Sequence, residues 1–232
     1  MKKIVVLSGS GISAESGIST FRGGNGLWDN VPVEEICTPE GWRRNPGKVL
    51  DFYNERRAQL SGCEPNEAHR IVAELENDFN VCVVTQNVDN LHERAGSTRI
   101  VHLHGELTKV RPEDGIYDHT GSEAEVIDVG YDAVHLGDKA PNGSQLRPHI
   151  VFFGEAVPKI EKAIDVVEAA DILLIVGTSL QVYPAAGLYR YARAEAPIYL
   201  IDPADVTLYD SRVHHIKKVA TEGMQEFVGL LK

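Results

Sequence analysis

Short apolar runs set apart by longer polar and amphipathic stretches organise this chain. Runs at residues 4–7, 81–84, 100–103, 150–153, 172–176 and 198–201 are rich in Val, Ile and Leu. Unbroken runs of that length suit strands buried on both faces, as in a parallel sheet, better than half-exposed strands with alternating polarity. Between and beside them, apolar positions three or four apart predict helices at about 47–60, 66–76, 158–169, 185–194 and 222–231. The alternation predicts an α/β fold with a doubly wound parallel sheet. Two segments interrupt it: 25–77, expected to be largely helical, and 107–147, Gly-rich and acidic with short β-like pieces at 116–117 and 126–129. The expected organisation is one domain over 1–232. Its large part comprises about 1–24, 78–106 and 148–232, and a small inserted lobe comprises about 25–77 and 107–147.

Polar residues gather where the predicted strands end. The first run feeds directly into Ser8-Gly9-Ser10-Gly11-Ile12-Ser13-Ala14, which reads as G-x-G-x-x-A. Glycines at a strand-to-helix turn let backbone N–H groups approach a pyrophosphate, so Gly9 and Gly11 are candidate phosphate contacts. A dehydrogenase-type site also needs an acid at the end of a second strand about 20 residues on. No such strand follows, and that class fits poorly. Other strand ends carry Thr85-Gln86-Asn87-Val88-Asp89, His102-Leu103-His104-Gly105, Phe153-Gly154-Glu155, Gly177-Thr178-Ser179-Leu180 and Asp202. Ligands of open α/β sheets bind outside the carboxyl ends of the strands, which makes this ensemble one expected site.

Composition narrows the classes. The chain has 232 residues, 43% of them apolar, enough for one sizeable core. The first run begins within four residues of the start, and no apolar run approaches the length needed to cross a bilayer. A cytoplasmic location with no membrane partner is the expectation. A formal net charge of −11 argues against direct nucleic-acid binding, because phosphates would be repelled over most of the surface. Three widely spaced cysteines, Cys37, Cys63 and Cys82, form neither a disulfide framework nor a metal knuckle.

The separated motifs, in this order, resemble the sirtuins, NAD-dependent protein-lysine deacylases, over nearly the whole chain. The matching pieces are the Gly-rich run with Phe21-Arg22, Thr85-Gln86-Asn87-Val88-Asp89, His104-Gly105, Phe153-Gly154-Glu155 and Gly177-Thr178-Ser179-Leu180. The resemblance implies a Rossmann-type large part and a small lobe, with NAD and an acyl-lysine protein or peptide meeting in the cleft. It also implies that NAD is consumed: the acyl oxygen attacks the nicotinamide ribose, nicotinamide leaves, and O-acyl-ADP-ribose is released. His104 falls in the family's general-base position, suited to a neutral imidazole near pH 7. Asn87 and Asp89 match the contacts to the nicotinamide ribose and carboxamide, with Gln86 beside them on the ribose. Gly9, Ser10, Gly11, Ser13, Phe21, Arg22, Trp28, Gly177, Thr178, Ser179, Asp202 and Ala220 complete the implied NAD-binding set. Asp202, where many relatives carry Asn, can still accept from adenosine-ribose hydroxyls and so supplies the acid missing above. His102 is expected to turn away from His104 and carries no catalytic role.

Substrate contacts are expected from Tyr53, Arg56, Val151 and Phe152. Tyr53 and Arg56 lie three apart on a predicted helix and share a face. The pair resembles the signature of the desuccinylase and demalonylase class, in which a phenol and a guanidinium fix a distal carboxylate. Most sirtuins carry four cysteines for a structural zinc in the small lobe. Residues 107–147 contain none, and His119, His135, Asp118 and Asp138 match no common four-ligand spacing. No zinc or other metal is expected, and the lobe should rest on apolar residues such as Tyr117, Ile127, Val129 and Tyr131. Two other readings stay open at this level: a mono-ADP-ribosyltransferase or NAD glycohydrolase on the same site, and a non-catalytic NAD sensor.

Overall fold

A computed structural model describes residues 1–20, 32–114, 125–206 and 208–231. Strand β1 (Lys3–Ser8) opens the chain and runs into a 3-10 helix at Ser10–Ser16. Helices α1 (Val33–Ile36), α2 (Pro39–Arg44), α3 (Pro46–Ser61) and α4 (Glu67–Glu74) follow. Next come β2 (Asn80–Thr85), α5 (Leu91–Ala95), β3 (Ile100–His102), β4 (Gly105–Pro112), β5 (Ile127–Asp128) and β6 (Leu146–Ile150). The chain closes with α6 (Ile160–Glu168), β7 (Ile172–Val176), a 3-10 helix at Ala185–Tyr191, β8 (Ile198–Ile201), β9 (Val213–Ile216) and α7 (Ala220–Leu230).

Six strands form a parallel sheet in the order β3-β2-β1-β7-β8-β9. The chain moves outward from β1 on one side, then returns to β7 and builds the other side. The direction of winding therefore reverses between β1 and β7, and a crevice opens at their carboxyl ends. Ile4, Val6, Leu174 and Val176 bury one face of this sheet, and Val5, Leu7, Leu173 and Ile175 the other. A second sheet, β5-β4-β6, is antiparallel and belongs to the small lobe. Its side of the molecule has its own apolar cluster, including Ile36, Trp42, Leu50, Leu107, Val110 and Leu146. Among the described residues no helix is long and apolar enough to cross a membrane.

Three sequence expectations are corrected. The apolar run at 150–153 is not a strand of the parallel sheet. Only Ile150 is in a strand, and it ends β6 of the antiparallel sheet, whose Arg147 and His149 are buried despite their polarity. The sixth parallel strand is instead β9, an edge strand whose His214 and His215 break its apolar pattern. The segment 25–77 is also divided. Its α3 contributes Val49, Leu50 and Tyr53 to the lobe's cluster, while α4 packs Ala68, Ile71 and Val72 against the parallel sheet. The helix expected at 185–194 is the shorter 3-10 turn.

Candidate active site

A cavity of about 650 Å³ lies at the switch point, between the strand ends of the parallel sheet and the lobe. The segments after β1, β2, β7 and β8 reach it from the large sheet, and residues 150–155 reach it from the lobe side. Gly9, Ser10, Gly11, Gln86, Asn87, Asp89, His104, Gly177, Thr178, Ser179, Asp202 and Ala220 all line it. Tyr53, Arg56, Val151 and Phe152 line the same space. Ser13 does not line it but lies buried beneath the polar cluster. Phe21, Arg22 and Trp28 fall outside the described residues, as do Tyr117, Asp118 and His119.

The glycines after β1 act differently from the sequence expectation. Gly9 N–H donates to Val176 O over 3.0 Å, and Gly11 N–H to Gly177 O over 2.8 Å. Those donors are therefore spent on the turn after β7 and do not face a phosphate. A Cβ on Gly11 would stand 2.6 Å from Gly177 Cα, and Gly177 itself has φ +61. Glycine here lets two loops at the switch point touch, which shapes the crevice floor.

Ser13 orders the polar heart of the site. Its hydroxyl donates to Asp89 Oδ2 over 3.0 Å, so with its one hydrogen used it can only accept from Asn87 Nδ2, 3.1 Å away. That fixes the Asn87 amide with Oδ1 turned elsewhere, and Asn87 Oδ1 is buried with no partner among the described residues. A buried carbonyl oxygen lining a cavity and lacking a donor fits a bound ligand that carries one. Burial pushes the Asp89 carboxyl above its usual range, opposed by the Leu91 N–H and the Ser13 hydroxyl that donate to it. Thr85 Oγ1 accepts from Asn87 N–H and from Ser8 Oγ, which holds the start of this loop.

His104 Nδ1 lies 3.0 Å from Gln86 O. A carbonyl only accepts, so Nδ1 carries the hydrogen and Nε2 keeps its lone pair. Burial lowers the pKa of this imidazole, partly offset by the Gln86 carbonyl, so the ring is neutral near pH 7. Gly105 follows at φ +86, where a Cβ would stand 1.9 Å from His149 O, so glycine there allows β4 to start against β6. Gln86 Nε2 in turn donates to Thr178 Oγ1 over 3.0 Å, joining the β2 and β7 loops. Asp202 Oδ1 accepts from Ala204 N–H over 2.9 Å and lines the far end of the cavity.

At the lobe end, Tyr53 OH donates to Cys37 Sγ over 3.4 Å, and both side chains are buried. The Arg56 guanidinium sits 5.3 Å over the Phe52 ring, and its Nε is buried without a partner among the described residues. Glu155, within the motif read from sequence, accepts from Phe152 N–H and from the guanidinium groups of Arg147 and Arg111, and so anchors the lobe side.

Some residues of the site were not read from the sequence. Glu15 lines the cavity and accepts from both Thr221 N–H and Thr221 Oγ1 at the start of α7. Gln59, Gln181 and Tyr183 also line it. None stands at a strand end, where the sequence reading looked. His102 stays out of the cavity as expected, yet it is not turned away from the site: its Nδ1 lies 3.1 Å from Asn87 O.

The Sir2 family profile matches residues 9–184, and the chain belongs to that family. It is 57% identical to an NAD-dependent protein deacylase of Bacteroides thetaiotaomicron over 233 aligned residues, covering 100% of this chain and 98% of that protein. A Helicobacter pylori protein of the same description is 51% identical, covering 98% of this chain and 96% of its own. A Sir2 homologue in complex with NAD superposes with a TM-score of 0.86 at 37% identity, over 99% of this chain and 89% of that one. A Sir2–p53 peptide–NAD+ structure matches at a TM-score of 0.79 and 27% identity, over 99% and 94% of the two chains. The chain is thus a Sir2-family enzyme with the family's α/β fold.

Proposed function

We propose that this chain is an NAD-dependent protein-lysine deacylase that prefers succinyl- or malonyl-lysine to acetyl-lysine. The carrying observation is one cavity that holds His104 with an exposed lone pair, Asn87 with an unpartnered buried oxygen, and Arg56 with an unpartnered buried Nε. The names of the bacterial relatives and the NAD and peptide complexes of the solved ones support the general activity.

The polar residues lining the cavity suit NAD and an acyl-lysine peptide. NAD supplies the ribose whose bond to nicotinamide breaks and which takes up the acyl group. Asn87 and Asp89 hold the nicotinamide end, with Asn87 Oδ1 accepting from it. Gln86, Thr178 and Ser179 contact ribose and phosphate, while Asp202 and Ala220 bound the adenosine end. His104 Nε2 takes a proton from a ribose hydroxyl, and its Nδ1–H stays on Gln86 O, which stabilises the imidazolium that forms. Val151 and Phe152 flank the acyl-lysine. The Arg56 guanidinium and Tyr53 hydroxyl bind a distal carboxylate by charge-assisted hydrogen bonds, a contact an acetyl group cannot make.

The small lobe holds together without zinc in this reading. The support is the lack of cysteine in 107–147 and the packing of Ile127 and Val129 against the lobe's apolar cluster. Tyr131, 39% exposed, instead accepts a hydrogen bond from Asn90 Nδ2 over 3.0 Å. Elemental analysis giving one zinc per chain overturns this part.

An acyl-lysine peptide panel with NAD, read by product mass, tests the whole. Succinyl- or malonyl-peptide consumed faster than acetyl-peptide, with O-acyl-ADP-ribose as product, is expected. Free ADP-ribose or ADP-ribosylated protein as the main product would overturn it in favour of a glycohydrolase or transferase.

A further inference from the structure

His102 lies outside the cavity, yet it is bound to the loop that carries Asn87 and Asp89. Its ring reaches two acceptors on different elements. Nδ1 is 3.1 Å from the backbone oxygen of Asn87, and Nε2 is 2.6 Å from Glu93 Oε1 on α5. A carbonyl and a carboxylate both only accept, so the geometry is satisfied when both ring nitrogens carry hydrogens. We propose that His102 is a positioning residue for NAD cleavage, clamping the Asn87 carbonyl to Glu93 and so holding the loop that presents Asn87 and Asp89. The inference rests on the reading that those two side chains contact the nicotinamide end.

The loop is gripped from several sides, and His102 supplies the grip on Asn87 itself. His104 donates to Gln86 O, Leu107 N–H to Val88 O, and Asn87 N–H is taken by Thr85. His102 holds the remaining main-chain oxygen of Asn87 and is only 5% exposed. Glu93, His102 and Glu106 present their polar atoms within 4.8 Å of one another, and Lys109 Nζ sits 2.9 Å from Glu106. Two carboxylates thus meet two cations when the imidazole is charged.

The clamp is sensitive to pH. Burial by itself opposes a charge on His102, but the Glu93 hydrogen bond and charge, with Glu106 and the Asn87 carbonyl, raise its pKa above the ordinary histidine value. The other titratable groups facing it are His92 on α5, whose neutral form burial favours, Asp89 in the loop, and Lys109 on β4. Deprotonation leaves one ring hydrogen, and the Glu93 carboxylate holds it on Nε2. Nδ1 then turns a lone pair toward Asn87 O, and the clamp on the loop is lost. With Gln at position 93, an amide N–H can donate to Nε2 instead, so the ring hydrogen stays on Nδ1 at high pH.

The test is kcat/KM for NAD from neutral pH upward at saturating acetyl-lysine peptide, with peptide KM and Tm measured alongside, for wild type, His102→Leu, His102→Asn and Glu93→Gln. The short Asn amide can stand in for Nδ1–H on Asn87 O. The expected results are a loss of about tenfold in His102→Leu at neutral pH with peptide KM unchanged, and recovery of most of it in His102→Asn. The wild type should lose activity on the alkaline side, and His102→Asn and Glu93→Gln should both lack that fall. Equal kcat/KM in His102→Leu and His102→Asn, or an alkaline fall unchanged in Glu93→Gln, overturns the proposal. Should His102→Leu not fold, the other two variants decide it. NAD cleavage without acyl transfer would instead overturn the deacylase reading, and the same profiles would still decide the clamp.

Discussion

Ser13 Oγ donates to Asp89 Oδ2 across 3.0 Å, and this bond joins the turn after β1 to the loop after β2, 76 residues later. Because the serine has one hydrogen, the bond also dictates which way the Asn87 amide faces. A single hydroxyl thus sets two side chains of the candidate site.

Ser13→Ala removes an acceptor from Asn87 and a donor from a buried carboxylate. The expected cost is about 1–3 kcal/mol of stability, read by denaturant titration. The Kd for NAD, measured by calorimetry, should rise about tenfold as the Asn87 amide loses its fixed orientation. Unchanged affinity would show that Ser13 supports the fold alone.

His104→Ala should lower kcat by about 100-fold or more with NAD binding kept, since the base is removed and the cavity's other contacts remain. In the wild type the base works when neutral. Its pKa is lowered by burial, so kcat/KM should hold as pH falls through 6.5, the ordinary histidine value, and decline only below it. A decline centred above 6.5 would count against His104 as the base.

Arg56→Met should cut kcat/KM for succinyl- and malonyl-peptides by about 10–100-fold, the worth of charged hydrogen bonds. Activity on acetyl-peptide should change little, because that substrate offers the guanidinium no carboxylate. Paired measurements on matched peptides decide it, and a succinyl preference that survives the substitution removes Arg56 from the acyl site.

Acid stability should depend on His69, which packs against His92 with ring centroids 5.0 Å apart. Burial, and to a lesser degree the Arg70 charge, lowers the His69 pKa from 6.5 to about 4, and burial also holds the His92 imidazole well below the ordinary histidine value. The folded chain therefore refuses protons that the unfolded chain accepts. Their contribution is complete above about pH 6.5 and is lost as pH falls toward the folded value, by about 1.4 kcal/mol per pH unit for each histidine. His69→Gln should flatten the decline of Tm between those pH values, even if it lowers Tm at neutral pH.

Much of this site was legible before any coordinates. Gln86, Asn87, Thr178 and Asp202 stand directly after apolar runs, and a parallel sheet brings such ends together, so their convergence followed from local pattern. His104, Tyr53 and Arg56 gained their roles from family resemblance, since one histidine or one Tyr-x-x-Arg has no distinct local signal. The strand at 213–216 was illegible because an edge strand needs little apolar content. The run at 150–153 misled because burial under the lobe looks, in sequence, like burial in a sheet.

By itself the sequence determined the α/β class and the polar strand ends, because hydrophobic period and strand-end polarity are local properties. Only the tertiary structure decided what those groups do to one another. It spent the Gly9 and Gly11 N–H groups on the β7 turn, oriented Asn87 through Ser13, and brought Glu93 and His102 together beneath the loop. Each of these depends on hydrogen-bond direction between elements the chain path brings together, and a donor's partner across a fold is set by geometry that no local pattern carries.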